Sequence, residues 1–109
     1  MVDEAVTRVI RKYLRNLVEQ GIPVEYGVLY GSQATGRANP WSDIDLLVVS
    51  PRFDAQHLRS DVSLLWRIAA RTDSRIEPIP IGLRQYDEDD SNAVIEMARR
   101  EGKIIPLAD

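Results

Sequence analysis

The sequence predicts an α/β (α+β) fold. Apolar residues recur at helical spacing in two long stretches, and shorter stretches rich in β-branched and other apolar residues lie between and after them. Such a succession of patterns is typical of a domain that combines helices with a β-sheet. In chain order, the predicted elements are a helix at 3–20, strands at 24–30 and 43–49, a helix at 57–71, a strand at 75–81, a helix at 91–100 and a short last strand at 103–107.

Length and composition limit the class of protein. The 109 residues amount to about one domain, so we expect a single domain over residues 1–109. The chain has no cysteine, which excludes a disulfide framework, a thiolate metal site and a cysteine nucleophile. No apolar run approaches the ~20 residues that a membrane span needs, and the acidic start of the chain is unlike a secretion signal. A cytoplasmic location is therefore expected.

The charge balance argues against one group of partners. The 14 basic and 17 acidic side chains leave a net charge of −3. Proteins that bind nucleic acids without sequence preference are usually basic, so general nucleic-acid binding is not expected. A membrane partner is not expected either.

The ends of the first helix follow from local signals. Asp3 and Glu4 lie where the helix dipole favours acidic side chains, and Gly21 and Pro23 favour an end near residue 20. On the second helix, Trp66 belongs to the apolar stripe and is predicted to lie in the core.

Two further features concern the second half of the chain. Pro78 and Pro80 are two residues apart in the third strand, so their missing N–H groups face the same neighbour and predict an edge strand. The acidic run 87–90 is expected to cap the last helix.

The segment that indicates chemistry connects the first two strands. Asp43 and Asp45 are two residues apart on a strand, so both carboxylates project from one face. Two like charges side by side favour a cation between them, and Mg²⁺ takes carboxylate, water and phosphate oxygens. Ten residues separate Asp43 from an earlier Gly31–Ser32 pair, in which Gly31 allows the backbone to approach a ligand and Ser32 adds a hydroxyl for a phosphate.

Together, these residues resemble a known family signature. Segment 29–37, LYGSQATGR, followed by segment 42–48, SDIDLLV, resembles the polymerase-beta-like nucleotidyltransferase superfamily. The ten-residue gap is that of its minimal nucleotidyltransferases, with the pattern GSx10DxD. The resemblance implies a mixed β-sheet of three to four strands flanked by helices. It also implies transfer of a nucleoside monophosphate from a nucleoside triphosphate, with ATP as the expected donor, to an acceptor hydroxyl.

The resemblance also implies roles for individual residues. Gly31 and Ser32 would hold the triphosphate, and Asp43 and Asp45 would bind one or two Mg²⁺ ions, with Mn²⁺ as an alternative. The family uses a third carboxylate on a neighbouring strand. Glu77 is the candidate, although aspartate is usual there, and its alternative is a solvated glutamate paired with an arginine.

Three further residues have two interpretations each. Arg37 contacts a phosphate or is a surface arginine, and Ser42 adds a hydroxyl to the nucleotide site or caps the turn. Trp41 stacks on a base or an acceptor, or is an exposed tryptophan at the edge that covers the loop, and the second interpretation is the simpler one.

The resemblance leaves several functions open. In this group, many members act as antitoxins that adenylylate a helical partner of the HEPN type. The first hypothesis is therefore an enzyme that modifies a partner protein. One alternative function is a catalytically idle antitoxin or regulatory module that neutralises such a partner by contact. Another is an enzyme that modifies a small molecule, as aminoglycoside nucleotidyltransferases do. In place of a helical partner protein, the chain is alternatively expected to form a homo-oligomer. Because the chain is short, we expect the acceptor surface to come from another chain.

Overall fold

A computed structural model describes residues 3–108 of the chain. None of the helices in this part of the chain is long and apolar enough to cross a bilayer. The elements are α1 (Glu4–Glu19), β1 (Tyr26–Tyr30), α2 (Ser32–Thr35), β2 (Ile44–Ser50), α3 (Arg52–Ala55), α4 (Arg59–Thr72), β3 (Ile76–Gly82), α5 (Leu83–Glu88), α6 (Ala93–Glu101) and β4 (Lys103–Pro106).

The four strands form one mixed sheet in the order β3-β2-β1-β4. Strand β1 is antiparallel to both β2 and β4, whereas β2 and β3 run parallel. The predicted mixed sheet is therefore confirmed. The edge position predicted for β3 from Pro78 and Pro80 is confirmed as well.

Both faces of the sheet are covered. Side chains of α1 and α4 pack on one face against Ile44, Leu46 and Val48, which form part of the larger core cluster. Side chains of α5 and α6 pack on the other face against Leu47 and Val49. This burial on two faces explains why β2 is almost continuously apolar after Asp45.

A local ion pair fixes how β3 begins. The Asp73 carboxylate accepts hydrogen bonds from the backbone N–H of Arg75 at 2.9 Å and from its guanidinium at 2.8 and 3.1 Å. The carbonyl oxygen of Arg75 in turn accepts a hydrogen bond of 2.8 Å from the N–H of Ile44, the first residue of β2. The turn between α4 and β3 thus sets the register in which β2 and β3 pair.

Several element boundaries differ from the sequence prediction. The connection predicted after β2 contains the short helix α3, and α5 was not predicted. The acidic run 87–90 does not cap the last helix, because its first two residues end α5. The cap of α6 is Asn92, whose side chain accepts from the N–H groups of Val94 and Ile95 at 2.9 and 3.1 Å.

The prediction that Trp66 lies in the core is wrong. Its side chain is 47% exposed, whereas Leu65, Ile68 and Ala69 are buried. One position on a helix turns the side chain by about 100°, so burial of Leu65 points its neighbour away from the sheet. The buried face of α4 also includes Asp61, which forms a bidentate pair with Arg52 at 2.8 and 2.9 Å.

We predict that Asp73→Asn lowers the free energy of unfolding by about 1 kcal/mol at neutral pH, because it removes a charge-assisted pair that is partly exposed. Hydrogen bonds from the Arg75 side chain hold the pKa of Asp73 below its usual range. The stabilisation is therefore complete above the unfolded-state pKa, near 4, and is lost as the pH falls through the depressed folded-state value.

Denaturant unfolding at several pH values between about 2.5 and 7 tests this prediction. Asp90→Asn is the matched control, since that side chain is 94% exposed, and should have little effect. A difference between wild type and Asp73→Asn that stayed constant on acidification would contradict it.

Candidate active site

Three carboxylates meet where β2 and β3 begin and β1 ends. The parallel register places Asp45 directly opposite Glu77, and the antiparallel register places Tyr30 on the other side of Asp45. Asp43 lies just before β2 and is exposed, whereas Asp45 and Glu77 are half-buried. The structure therefore brings the three predicted acidic residues to one end of the sheet.

The carboxylates are in direct electrostatic contact. Burial raises the pKa of Asp45, and the nearby charge of Asp43 raises it further, although a hydrogen bond with Glu77 opposes the shift. Burial, the charges of both aspartates and hydrogen bonds with them raise the pKa of Glu77. Within residues 3–108, Glu77 therefore faces the two aspartates, and no arginine forms an ion pair with it. Because burial and the neighbouring negative charges both disfavour the ionised carboxylates, the cluster favours a proton or a cation.

Tyr30 is a member of this site that sequence reasoning missed. Its ring is buried, and burial together with the charges of Asp45 and Glu77 raises its pKa to about 12. The phenol is therefore neutral beside the carboxylates at physiological pH. Its position directly before Gly31 could have indicated a place in the site. However, a tyrosine in a strand is equally typical of a residue that packs in the core.

Gly31 lies against the Asp45 carboxylate. Its φ is +75°, a left-handed conformation that favours glycine. A Cβ atom at this position would collide with Oδ2 of Asp45. The absence of a side chain thus lets the backbone at the start of α2 adjoin the acidic cluster, with Ser32 as the first residue of that short helix.

The remaining predicted residues lie on the connecting loop. Ser42 closes the loop, because its Oγ accepts from the N–H of Asn39 at 2.9 Å. This contact matches the interpretation that it caps the turn. Arg37 is exposed, and its backbone N–H donates to the carbonyl of Ser32 at 3.1 Å. The structure thus places Arg37 beside the Gly31–Ser32 segment through its backbone alone.

The chemistry of the cluster suits a hard divalent cation. All three side chains offer carboxylate oxygens, which Mg²⁺ prefers, and their shared charge is reduced when a cation binds. Within residues 3–108, no three His, Cys, Asp or Glu side chains already surround a point that could hold a metal ion. In the described part of the chain, the three carboxylates lie near one another and are chemically suited to a cation, but they do not form a closed ligand shell.

Comparison with known sequences identifies the family. The sequence matches the nucleotidyltransferase domain family over residues 8–104, which is most of the chain. The protein therefore belongs to this family, as the motif indicated. No curated protein sequence gives a significant match.

Solved structures with the same fold agree. A candidate nucleotidyltransferase from Sulfolobus solfataricus aligns with a TM-score of 0.60 at 15% identity, over 90% of this chain and 77% of its own. A toxin–antitoxin structure with AMP-PNP aligns with a TM-score of 0.57 at 23% identity, over 87% and 71%. A mutant of the toxin–antitoxin pair MntA–HpeT with two Asp-to-Glu substitutions aligns with a TM-score of 0.56 at 21% identity, over 87% and 71%. These similarities establish the shared fold.

We predict that Gly31→Ala destabilises the protein more than Gly21→Ala does. Both glycines have positive φ, of 75° and 96°, so either alanine should cost about 1–3 kcal/mol in backbone strain. Only at Gly31 would the new methyl group meet a side chain, that of Asp45, whereas the space around Gly21 is empty. The collision should cost at least about 1 kcal/mol more. Denaturant unfolding of both variants measures the difference, and equal losses would contradict the close approach.

We also predict that Glu77→Gln raises the melting temperature by a few degrees at neutral pH in EDTA. The substitution removes one of three charges that repel one another, and about 1 kcal/mol corresponds to several degrees in a domain of this size. Thermal unfolding measures the shift, with Glu25→Gln on the exposed surface as the matched control. A lower melting temperature for Glu77→Gln would mean that Glu77 is held by a favourable partner.

Proposed function

We propose that this chain is a metal-dependent nucleotidyltransferase that moves AMP from ATP onto an acceptor hydroxyl. The main observation in support is the register that sets Asp45 opposite Glu77, with Gly31 packed against the Asp45 carboxylate. This arrangement places a segment suited to phosphates beside a cluster suited to a cation. Membership of the nucleotidyltransferase domain family supports the same reaction class.

The carboxylates have a defined part in this proposal. Asp43, Asp45 and Glu77 would hold one or two Mg²⁺ ions, with Mn²⁺ as an alternative. When bound, the metal would neutralise charge on the triphosphate and stabilise the attacking and leaving oxygens. The solved toxin–antitoxin mutant changes two aspartates that are two positions apart, the spacing of Asp43 and Asp45 here.

The other residues position the nucleotide. Gly31 lets the backbone approach the triphosphate, and the Ser32 hydroxyl donates to one of its oxygens. Arg37, exposed beside this segment, is available for a bidentate contact with phosphate. Ser42 acts on the nucleotide indirectly, by closing the turn before Asp43. Most of the catalysis then comes from positioning and charge stabilisation.

The reaction breaks one bond and forms another. The acceptor oxygen attacks the α-phosphorus, a new O–P bond forms, and the bond to the β-phosphate oxygen breaks. Pyrophosphate leaves with the electron pair of that bond. In this proposal, Glu77 takes the proton of the acceptor hydroxyl, because its carboxylate lies opposite Asp45 at the same end of the sheet.

We further propose that the acceptor is a hydroxyl of a partner protein and that the chain acts as an antitoxin. The support is that two structures with this fold are toxin–antitoxin complexes, one of them with AMP-PNP. A helical partner of the HEPN type fits this proposal. The second candidate is a module that neutralises its partner by contact alone, and Glu77, where aspartate is usual in the family, favours this candidate.

We predict that Asp43→Asn combined with Asp45→Asn reduces nucleotide transfer by at least about 100-fold, because the variant cannot organise the metal or the developing charge. The measurement is label incorporated into protein from ATP labelled at the α-phosphate, in magnesium-containing extracts of cells that express the chain. Expression of the chain should not increase the incorporation of label from the γ-phosphate, since that phosphate leaves with pyrophosphate.

Asp87→Asn is the matched control, because Asp87 is an exposed aspartate at the end of α5 and outside the cluster. It should retain full transfer. If wild type incorporates no α-label, yet both it and the double variant still neutralise a toxic partner, the enzyme proposal fails and the contact-only module is correct.

A further inference from the structure

Trp41 is the most exposed large apolar side chain in the described part of the protein. Trp41 is 87% exposed, in keeping with the exposed position that the simpler interpretation of the sequence expected. A tryptophan usually contributes 150–250 Å² of buried surface to a core or an interface. Here that surface is offered to solvent, two residues before a carboxylate of the candidate site.

The turn that carries Trp41 is held by several hydrogen bonds. The Asn39 carboxamide oxygen accepts from the N–H of Trp41 at 2.8 Å. The N–H of Ser42 donates to the carbonyl of Asn39 at 3.1 Å, and the Ser42 hydroxyl accepts from the N–H of Asn39. The backbone under the indole is therefore ordered before any ligand binds, which lowers the entropic cost of binding through this ring.

The same turn is connected to the segment that follows β1 and to the aspartates at the start of β2. Gln33, which is only 7% exposed and lies in α2 directly after Ser32, donates from Nε2 to the carbonyl of Ser42 at 3.2 Å. On the other side, Asp43 follows Ser42 in the chain. Two residues span at most about 7 Å, so the Cα atom of Trp41 lies within that distance of the Cα atom of Asp43.

We propose that Trp41 is the platform on which the base of the donor nucleotide stacks. This inference rests on the proposed function, because it requires a triphosphate at Gly31 and Ser32 and a metal at Asp43 and Asp45. A base presents a flat π-face that stacks on an indole without hydrogen-bond readout. The site would therefore discriminate weakly between ATP and GTP and would bind both more tightly than a triphosphate without a base.

The chain offers a clean optical test, since it has only two tryptophans. In Trp66→Phe, the emission of Trp41 alone is followed during titration with magnesium and ATP, and separately with magnesium and inorganic tripolyphosphate. ATP should quench the emission saturably, whereas tripolyphosphate should compete with ATP without quenching. In Trp41→Phe, the remaining Trp66 on α4 should not respond.

Affinities complete the test. Trp41→Ala should weaken ATP binding by about 5- to 150-fold, the range expected for loss of one base-stacking contact. Its affinity for tripolyphosphate should stay within about 2-fold of wild type, and Trp41→Phe should retain most of the ATP affinity.

Each other outcome has a distinct meaning. If ATP binds equally well to wild type and Trp41→Ala and quenches nothing, the stacking role is overturned and the indole belongs to a protein-contact surface. If neither ATP nor tripolyphosphate binds to wild type in the presence of magnesium, the nucleotide site itself fails, and the stacking role fails with it.

Discussion

The parallel pairing of β2 with β3 is the constraint on which the candidate site depends. A shift by one residue would turn either Asp45 or Glu77 to the opposite face of the sheet, among the side chains of α1 and α4. The hydrogen bond between Ile44 and Arg75, and the Asp73–Arg75 pair behind it, hold the register at the strand ends. Burial of the apolar residues on both faces of β2 then fixes it along the whole strand.

This register creates an unfavourable electrostatic free energy at one end of the sheet. Three acidic side chains lie close together, and burial together with the repulsion between their charges raises the pKa values of Asp45 and Glu77. The core holds them there because Leu47, Val49 and Ile81 are buried a short distance further along the same two strands. A protein that accepts such repulsion at a half-buried site gains a strong preference for cations there.

The sequence predicted those features that arise from strong local patterns. Alternation placed Asp43 and Asp45 on one face, and the paired prolines placed β3 at an edge. It did not predict α5, because the N–H groups at the start of that helix are capped by Asp54, 30 residues away in the chain. The orientation of Trp66 likewise depends on which side of α4 the sheet covers. The electrostatic effect of Asp45 and Glu77 on Tyr30 depends on strand pairing, which no local pattern contains.

The two prolines of β3 have a consequence for how this molecule meets other chains. A further strand pairs with a sheet edge by accepting hydrogen bonds from free backbone N–H groups, and Pro78 and Pro80 have no N–H group to donate. At the opposite border, β4 is only four residues long and begins with Lys103 and ends with Pro106. Both borders thus discourage a foreign strand from extending the sheet. Complexes of this protein are therefore expected to form through side chains on its helices and loops, which also protects it from aggregation at high concentration.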